Sequence, residues 1–505
     1  MIKSQYEMRE HSWWTKILVW CVLILVGIIL VSTMLSGNLI SYNYAFNGTK
    51  LASGLSVIII SGVLSLLIFL GNKISIFNQR WITILLVLGI LCVTIYVSFH
   101  LRIAPVFDGK VVTSQAYDLF NHLPWRNYFH QFVNNINIVT LTYIITSPFM
   151  TMDLIHNLND FEMLCNLIGN ILLIMTIIMT TYLLLKLVSR KGVNIFLLIT
   201  LMMTPMLSVF FSELYTQQIA ITTLVGSFVA FYQLTSGKNR WVHGGLFLFL
   251  LAFTIVARPN MFIPYFILIG IMVVVYRTKF LKLIIWSTLA IAMLFAFNAG
   301  LKLVSEHTGY QSNSTLTEKY QLPISSWFFL AYNYQAPGRN TPQARDVLYY
   351  KQTKQEKNAY LKKQTIKAIK NAGLYKTLHL YFDKVNTLYG WRSDFSLGYF
   401  RQRIGRETST KYNMFVTVAS LLASSSFLVI LVINLVIALR SLKNNVINMP
   451  WLFFNLSSLA LTLFYVLIWE VQESYALPSI MLFSMTVAFV LNSKSDKVAS
   501  VTNEY

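Results

Sequence analysis

Five stretches of this chain, Lys16–Leu35, Leu51–Leu70, Trp81–Ser98, Met163–Leu187 and Phe415–Leu439, each run for roughly eighteen or more residues with almost no charge. A helix needs about 20 such residues to cross the hydrocarbon core of a bilayer. In that solvent only a helix or a closed barrel satisfies its own backbone amides. Apolar blocks of this length and number exclude a soluble domain. Charged residues make up 12% of the chain, about half the usual share in soluble domains. The first block is longer than the apolar core of a secretory signal peptide and no small-residue cleavage pattern follows it, so it reads as a span. Cys21, Cys92 and Cys165 lie in or at apolar blocks without metal-ligand spacing and read as buried small hydrophobes.

Lys and Arg in short loops mark the cytoplasmic side. Lys3, Arg9 and Lys16 put the N-terminus inside. The later clusters follow suit: Lys73 and Arg80, Lys186 with Arg190 and Lys191, Lys238 and Arg240, Arg277 with Lys279 and Lys282, Arg440 and Lys443, Lys494 and Lys497. All fall inside if the spans lie near 17–35, 52–71, 81–99, 163–186, 194–211, 218–235, 243–257, 260–276, 280–302, 413–439, 451–470 and 476–492. Residues 136–150 are apolar but short and contain Pro148; counted as a span, they would push Lys186, Arg190 and Lys191 outside. An interfacial or re-entrant helix fits better, giving twelve spans, or thirteen otherwise. The fold expected is an all-α polytopic membrane protein with an extracytoplasmic helical loop domain. Its divisions are 1–99 (three spans), 100–162 (first outer loop), 163–302 (central bundle), 303–412 (large outer loop), 413–492 (last spans) and 493–505 (inner tail). Both termini are then cytoplasmic, in a multi-pass protein of the cell membrane.

Of the 19 carboxylates, Glu7, Glu10, Asp496 and Glu504 fall inside in this scheme, and the other fifteen at the outer face. Acids contribute little to topology, so their clustering points to polar chemistry outside. The 303–412 loop carries 17 Lys/Arg against 7 Asp/Glu. Within it, Gln343–Asn371 reads as a helix, Gly373 as a break, and Leu374–Leu388 as a second helix. A solvated or headgroup-facing surface and recruitment of an anionic polymer or lipid phosphate both account for its lysines. An exterior basic patch excludes nucleic acid as the natural partner. No phosphate-binding glycine loop, zinc-protease motif or nucleophile elbow is present.

Five short constellations remain. Ala104-Pro105-Val106-Phe107-Asp108-Gly109 puts a carboxylate on a turn at the membrane boundary, where it either caps its own backbone or takes a proton or a metal. Ser212-Glu213-Leu214-Tyr215-Thr216 is a hinge between two spans. Arg258-Pro259-Asn260 breaks a long apolar stretch; its Arg either snorkels to headgroups or binds a phosphate. Trp469-Glu470, with Glu473-Ser474-Tyr475 after it, forms another outer hinge. Trp391-Arg392-Ser393-Asp394 precedes Arg401, Arg403 and Arg406.

The order of these pieces resembles the GT-C superfamily of membrane glycosyltransferases, specifically bacterial members of the protein-mannosyltransferase-like group. The likeness runs over most of 100–480. Asp108 in the first outer loop is followed by Tyr128-Phe129 and Asn134-Asn135-Ile136, then Pro205 with Tyr215-Thr216, then Arg258-Pro259-Asn260. After these come Trp327, Asn333, Gly338 and Asp346, and finally Trp469-Glu470, Ser474-Tyr475 and Pro478. The resemblance implies transfer of a sugar from a polyprenyl-phosphate carrier to a cell-envelope glycopolymer, lipid or protein. Asp108 would be the acceptor-activating base or a metal-associated carboxylate, with Mg or Mn the cofactor left open. Arg258 would face the donor phosphate, with Glu213, Tyr215, Glu470 and Tyr475 lining the cavity. Trp327, Trp391, Arg392 and Asp394 are candidates for sugar or acceptor contact. A polysaccharide polymerase or ligase using Arg401, Arg403 and Arg406, and a lipid-linked-sugar flippase or transporter, are the competing readings.

Overall fold

The computed structural model describes residues 7–8, 13–35, 53–73, 76–100, 105, 107–150, 155–237, 239–274, 280–312, 314–339, 353–390 and 410–490. In chain order the helices are α1 (Trp13–Leu35), α2 (Gly54–Lys73), α3 (Arg80–His100), α4 (Phe107–Phe120), α5 (Tyr128–Gln131), α6 (Ile136–Met150), α7 (Leu158–Leu187), α8 (Arg190–Phe211) and α9 (Thr216–Thr235). There follow α10 (Arg240–Ala257), α11 (Ile263–Val274), α12 (Phe280–His307), α13 (Ser314–Tyr320), α14 (Ser325–Ala331), α15 (Lys354–Tyr389), α16 (Thr410–Asn444), α17 (Met449–Leu463) and α18 (Leu477–Thr486). Among the described residues, 10 helices are long and apolar enough to cross a membrane, and two shorter apolar ones cover Pro259–Val274 and Ser474–Phe489. They fall where the twelve expected spans lie. The chain is an all-α, multi-pass membrane protein.

Short polar signals start the helices. Asn157 caps α7, Ser189 caps α8 and Asn448 caps α17, each through a side-chain oxygen that accepts a free amide of the first turn. The interior is centred on α8, which lies against α3, α7 and α16; α9 packs between α7 and α10, and α17 against α11 and α18. Lipid tails give no hydrophobic drive for helix association, so small polar pairs hold the spans together. Thr176 meets Thr222 at 2.8 Å, Ser227 meets Tyr265 at 2.9 Å, and Asn434 Oδ1 accepts from both Trp451 Nε1 and Asn455 Nδ2 at 3.0 Å. Each contributes about 0.6 kcal/mol. The outward faces of α1, α2, α3 and α12 expose Leu, Ile and Val, as a lipid-facing surface requires. Cys165 is buried, but Cys21 and Cys92 are exposed on such faces, which corrects the expectation of three buried thiols. A thiol is apolar enough for lipid contact.

The segment of doubtful status, α6, is a helix about 22 Å long, too short to cross alone. It packs on α4 and α12, and Asn137 donates to Asn298 of α12 at 3.2 Å. In the large loop, the helix expected from Gln343 is interrupted at Thr353, whose backbone is extended and whose side chain forms a reciprocal capping box with Glu356. Residues 340–352 lie outside the described ones. The break expected at Gly373 is present: φ is 69° there, inside an otherwise helical run.

Contacts sort the connections into two ends. At one end Glu7–Met8 pairs antiparallel with Ile447–Asn448, Asn194 donates to the Phe77 carbonyl at 2.7 Å, and Gly192 lies against the Ala488 carbonyl. Lys16, Arg80, Arg190, Lys191, Arg440 and Lys443 belong to the helix ends there. At the other end the starts of α4 and α9, the α10–α11 break, α14, the end of α15 and the stretch 464–476 converge.

Candidate functional site

Arg258 sits where Pro259 ends α10. A residue before proline is pushed out of the helical region, and Arg258 is extended, with φ −151° and ψ 102°. Its side chain thereby leaves the helix axis and enters the bundle end. The guanidinium is buried and donates to the Tyr465 hydroxyl from Nη2 at 2.9 Å and from Nε at 3.3 Å. Nε also reaches Asn260 Oδ1 at 3.2 Å, while Nη1 reaches Thr216 Oγ1 only at 3.5 Å. The Tyr475 ring lies 4.7 Å from the guanidinium carbon, a cation–π contact. Snorkelling to headgroups, the alternative reading of Arg258, does not fit this burial.

Tyr465 reaches Arg258 because the helix loosens. After α17 the backbone widens into a π-turn over Phe464–Ile468, closed by Trp469 N–H donating to the Phe464 carbonyl at 3.1 Å. Such insertions recur at functional sites. The turn delivers Glu470, which is buried and accepts from the Tyr475 hydroxyl at 2.8 Å. Gln217 at the start of α9 donates to Ser474 at 3.3 Å, which ties this hinge to the 212–216 hinge.

A lysine from the large loop completes the cluster. Lys384 of α15 is fully buried, and its Nζ donates to the Trp469 carbonyl at 2.8 Å and the Ala331 carbonyl at 3.3 Å. Gly338, at φ 67°, packs on its stem, where any Cβ would clash, and the Gly338 carbonyl accepts from Val471 N–H at 2.9 Å. Burial pulls the Lys384 amine down to about 7, while the nearby Glu470 carboxylate acts in the opposite sense. Trp327 of α14 stacks on Trp469 at 5.5 Å, and Trp469 on Phe464 at 5.5 Å.

The second part of the site lies around Glu213, also buried. Its carboxylate rests on Gly109, so closely that a Cβ at 109 would overlap it. Asp108, the neighbouring residue in the first turn of α4, is exposed. Two residues beyond Glu213, the Tyr215 hydroxyl donates to Asn135 Oδ1 at 3.3 Å, and Asn135 Nδ2 donates to the Tyr128 hydroxyl at 2.8 Å. The short 212–216 hinge thus touches the start of α4 at Glu213 and Arg258 at Thr216.

Of the sequence-predicted residues, Asp108, Glu213, Tyr215, Arg258, Glu470 and Tyr475 are gathered at one end of the bundle, and Trp327 stands beside Glu470 through Trp469. Trp391, Arg392, Asp394, Asp346, Arg401, Arg403 and Arg406 lie outside the described residues. Sequence reasoning passed over Lys384, Tyr465 and Gln217. Lys384 is one of many lysines in its loop, and Tyr465 sits inside an apolar run; neither carries a local mark of its role. Among the described residues, no three His, Cys, Asp or Glu side chains are grouped so as to hold a metal ion.

Chemically, one part of this end offers a buried, oriented cation and the other an exposed carboxylate, with the 212–216 hinge between them. Compared with protein-family models, with curated proteins and with solved structures, the chain finds no match in any of the three.

Proposed function

We propose that this protein is a membrane glycosyltransferase that moves a sugar from a polyprenyl-phosphate carrier to a cell-envelope acceptor, at the end of the bundle that holds Asp108 and Arg258. The observation that carries this reading is the joint placement of the buried Arg258 guanidinium and the exposed Asp108 carboxylate on either side of the 212–216 hinge. The opposite end, with Lys16, Arg80, Arg190, Lys191, Arg440 and Lys443, is assigned to the cytoplasm by the bias of short loops toward Lys and Arg. The site then faces outward.

The transfer needs two groups that this end supplies. An acceptor hydroxyl loses its proton to Asp108 as its oxygen attacks the anomeric carbon. The bond from that carbon to the phosphate oxygen breaks, and the electron pair leaves with the polyprenyl phosphate. Charge grows on the phosphate as the bond opens, so a fixed cation lowers the barrier. Arg258 is positioned for this: Tyr465 and Tyr475 fix its plane, and its Nη1 is the least engaged nitrogen. By the resemblance, Glu213, Tyr215, Glu470 and Tyr475 would line the donor cavity, and Trp327 offers an aromatic face near Glu470.

The test is transfer by the full-length protein in nanodiscs, given a panel of polyprenyl-phosphate sugars and envelope acceptors. Transfer by wild type and its loss in both Asp108→Asn and Arg258→Gln, with folding intact, is the expected result. Full transfer by Asp108→Asn removes Asp108 from the chemistry and with it this mechanism.

A further inference from the structure

The second half of α15 carries an apolar stripe at helical spacing, Leu374, Leu378, Phe382, Val385 and Tyr389, separated by four, four, three and four residues. These side chains lie on one face. Their surroundings change along it. Tyr389 is 6% exposed, stacks on Phe427 of α16 at 4.9 Å and meets Thr462 of α17 at 2.6 Å, both on membrane-crossing helices. Val385 is 7% exposed, and its neighbour Asn386 accepts from Ser32 near the end of α1. Further out, Leu378 is 56% exposed and Leu374 77%, with Tyr375 beside it at 80%. A stripe that starts against the spans therefore runs outward with nothing of this chain's described residues covering its far half.

Water is a poor neighbour for three adjacent large side chains at such exposure. The charge around them selects the cover. Lys370 and Lys376 flank the patch, Lys362, Lys363 and Lys367 precede it, and all five are exposed. Apolar residues interleaved with lysines on a helix end already seated on membrane-crossing helices match an anionic bilayer surface. We propose that the exposed end of the stripe, Leu374 and Leu378, rests on the headgroup–acyl boundary of the leaflet at this end of the bundle, with Lys370 reaching anionic headgroups. The Gly373 break lets the lysine-rich first half turn away from the axis of the second. A soluble acidic polymer would use the lysines but leave Leu374, Tyr375 and Leu378 in water. The inference stands apart from the proposed sugar transfer.

The experiment uses the full chain with Cys21, Cys92 and Cys165 changed to alanine, in nanodiscs of phosphatidylcholine alone or mixed with phosphatidylglycerol. A bimane label is placed at Leu378→Cys on the stripe or at Lys376→Cys off it. Expected is severalfold stronger quenching of the 378 label by nitroxide lipids than by iodide, the reverse at 376, and a rise in lipid quenching with phosphatidylglycerol that Lys370→Gln abolishes. Iodide quenching at 378 equal to that at 376 overturns the proposal. So does shielding of 378 that requires two copies per nanodisc, which assigns the stripe to a second chain. Lipid quenching that ignores phosphatidylglycerol overturns the headgroup assignment.

Discussion

Glu213 and Glu470 are both buried carboxylates at the same end of the bundle, each on a break between two membrane-crossing helices, yet their settings differ. Glu470 lies among fixed partners from distant stretches: Tyr475 donates to it, Lys384 stands nearby, and Tyr475 in turn faces Arg258. Glu213 rests on the bare backbone of Gly109, beside an exposed carboxylate. The Glu470 hinge is built to hold charge still. The Glu213 hinge instead touches the start of α4, next to Asp108. On the proposed sugar transfer, the first is the binding half and the second the reacting half.

The sharpest break of that comparison acts on the reacting half alone. Asp108→Asn should cut sugar transfer about a thousandfold while leaving the thermal midpoint in detergent unchanged, because the side chain is exposed. A midpoint shift would make Asp108 part of the framework. The converse variant, Lys384→Met, strips a buried donor from two carbonyls and a counter-charge from Glu470. It should cost about 3 kcal/mol of stability, read as a lowered thermal midpoint, with Lys384→Arg failing to rescue because Gly338 closes the space.

Lys384 also sets a pH dependence. Its folded value of about 7 lies below the ordinary lysine range. Between the two values the unfolded chain holds a proton that the folded one has released, so stability rises with pH through that window. The midpoint of wild type relative to Lys384→Met should therefore climb from about pH 7 to about pH 10, and flatness there would mean the amine keeps its charge.

Gly109→Ala sharpens the other half. The new methyl group displaces the Glu213 carboxylate, with a cost of about 1–3 kcal/mol and a loss of transfer, whereas Gly62→Ala, where nothing lies within 4 Å, should change neither. The smallest effect is expected for Tyr475→Phe. It removes one hydrogen bond to Glu470, about 1 kcal/mol, and keeps the ring on Arg258; measured donor affinity should fall only slightly.

Much of this was legible in the sequence because lipid is a strict solvent. Every backbone amide in it needs a helix, so apolar length alone placed the spans, and Arg258-Pro259-Asn260 stood out as polar residues where none is tolerated without cause. Asp108 was marked by its Pro and Gly neighbours at a span end. What stayed hidden depends on contacts between distant residues. A lysine in FDKV reads as solvated until α15 is seen to drive it under Gly338 and Trp469. Tyr465 reads as one more apolar side chain until the π-turn rotates its hydroxyl onto Arg258. Thr353 starts α15 through a capping box whose Thr-x-x-Glu pattern was in plain view.

The π-turn over Phe464–Ile468 also makes this span intolerant of a change in length. Shortening the run by one residue would give a tidier, regular helix, better bonded along its backbone. Everything after the deletion would then swing by about 100° about the axis, carrying Trp469 and Glu470 away from Lys384 and leaving the buried amine without the Trp469 carbonyl. The least regular turn in the span is thus the one whose repair would dismantle the charge cluster.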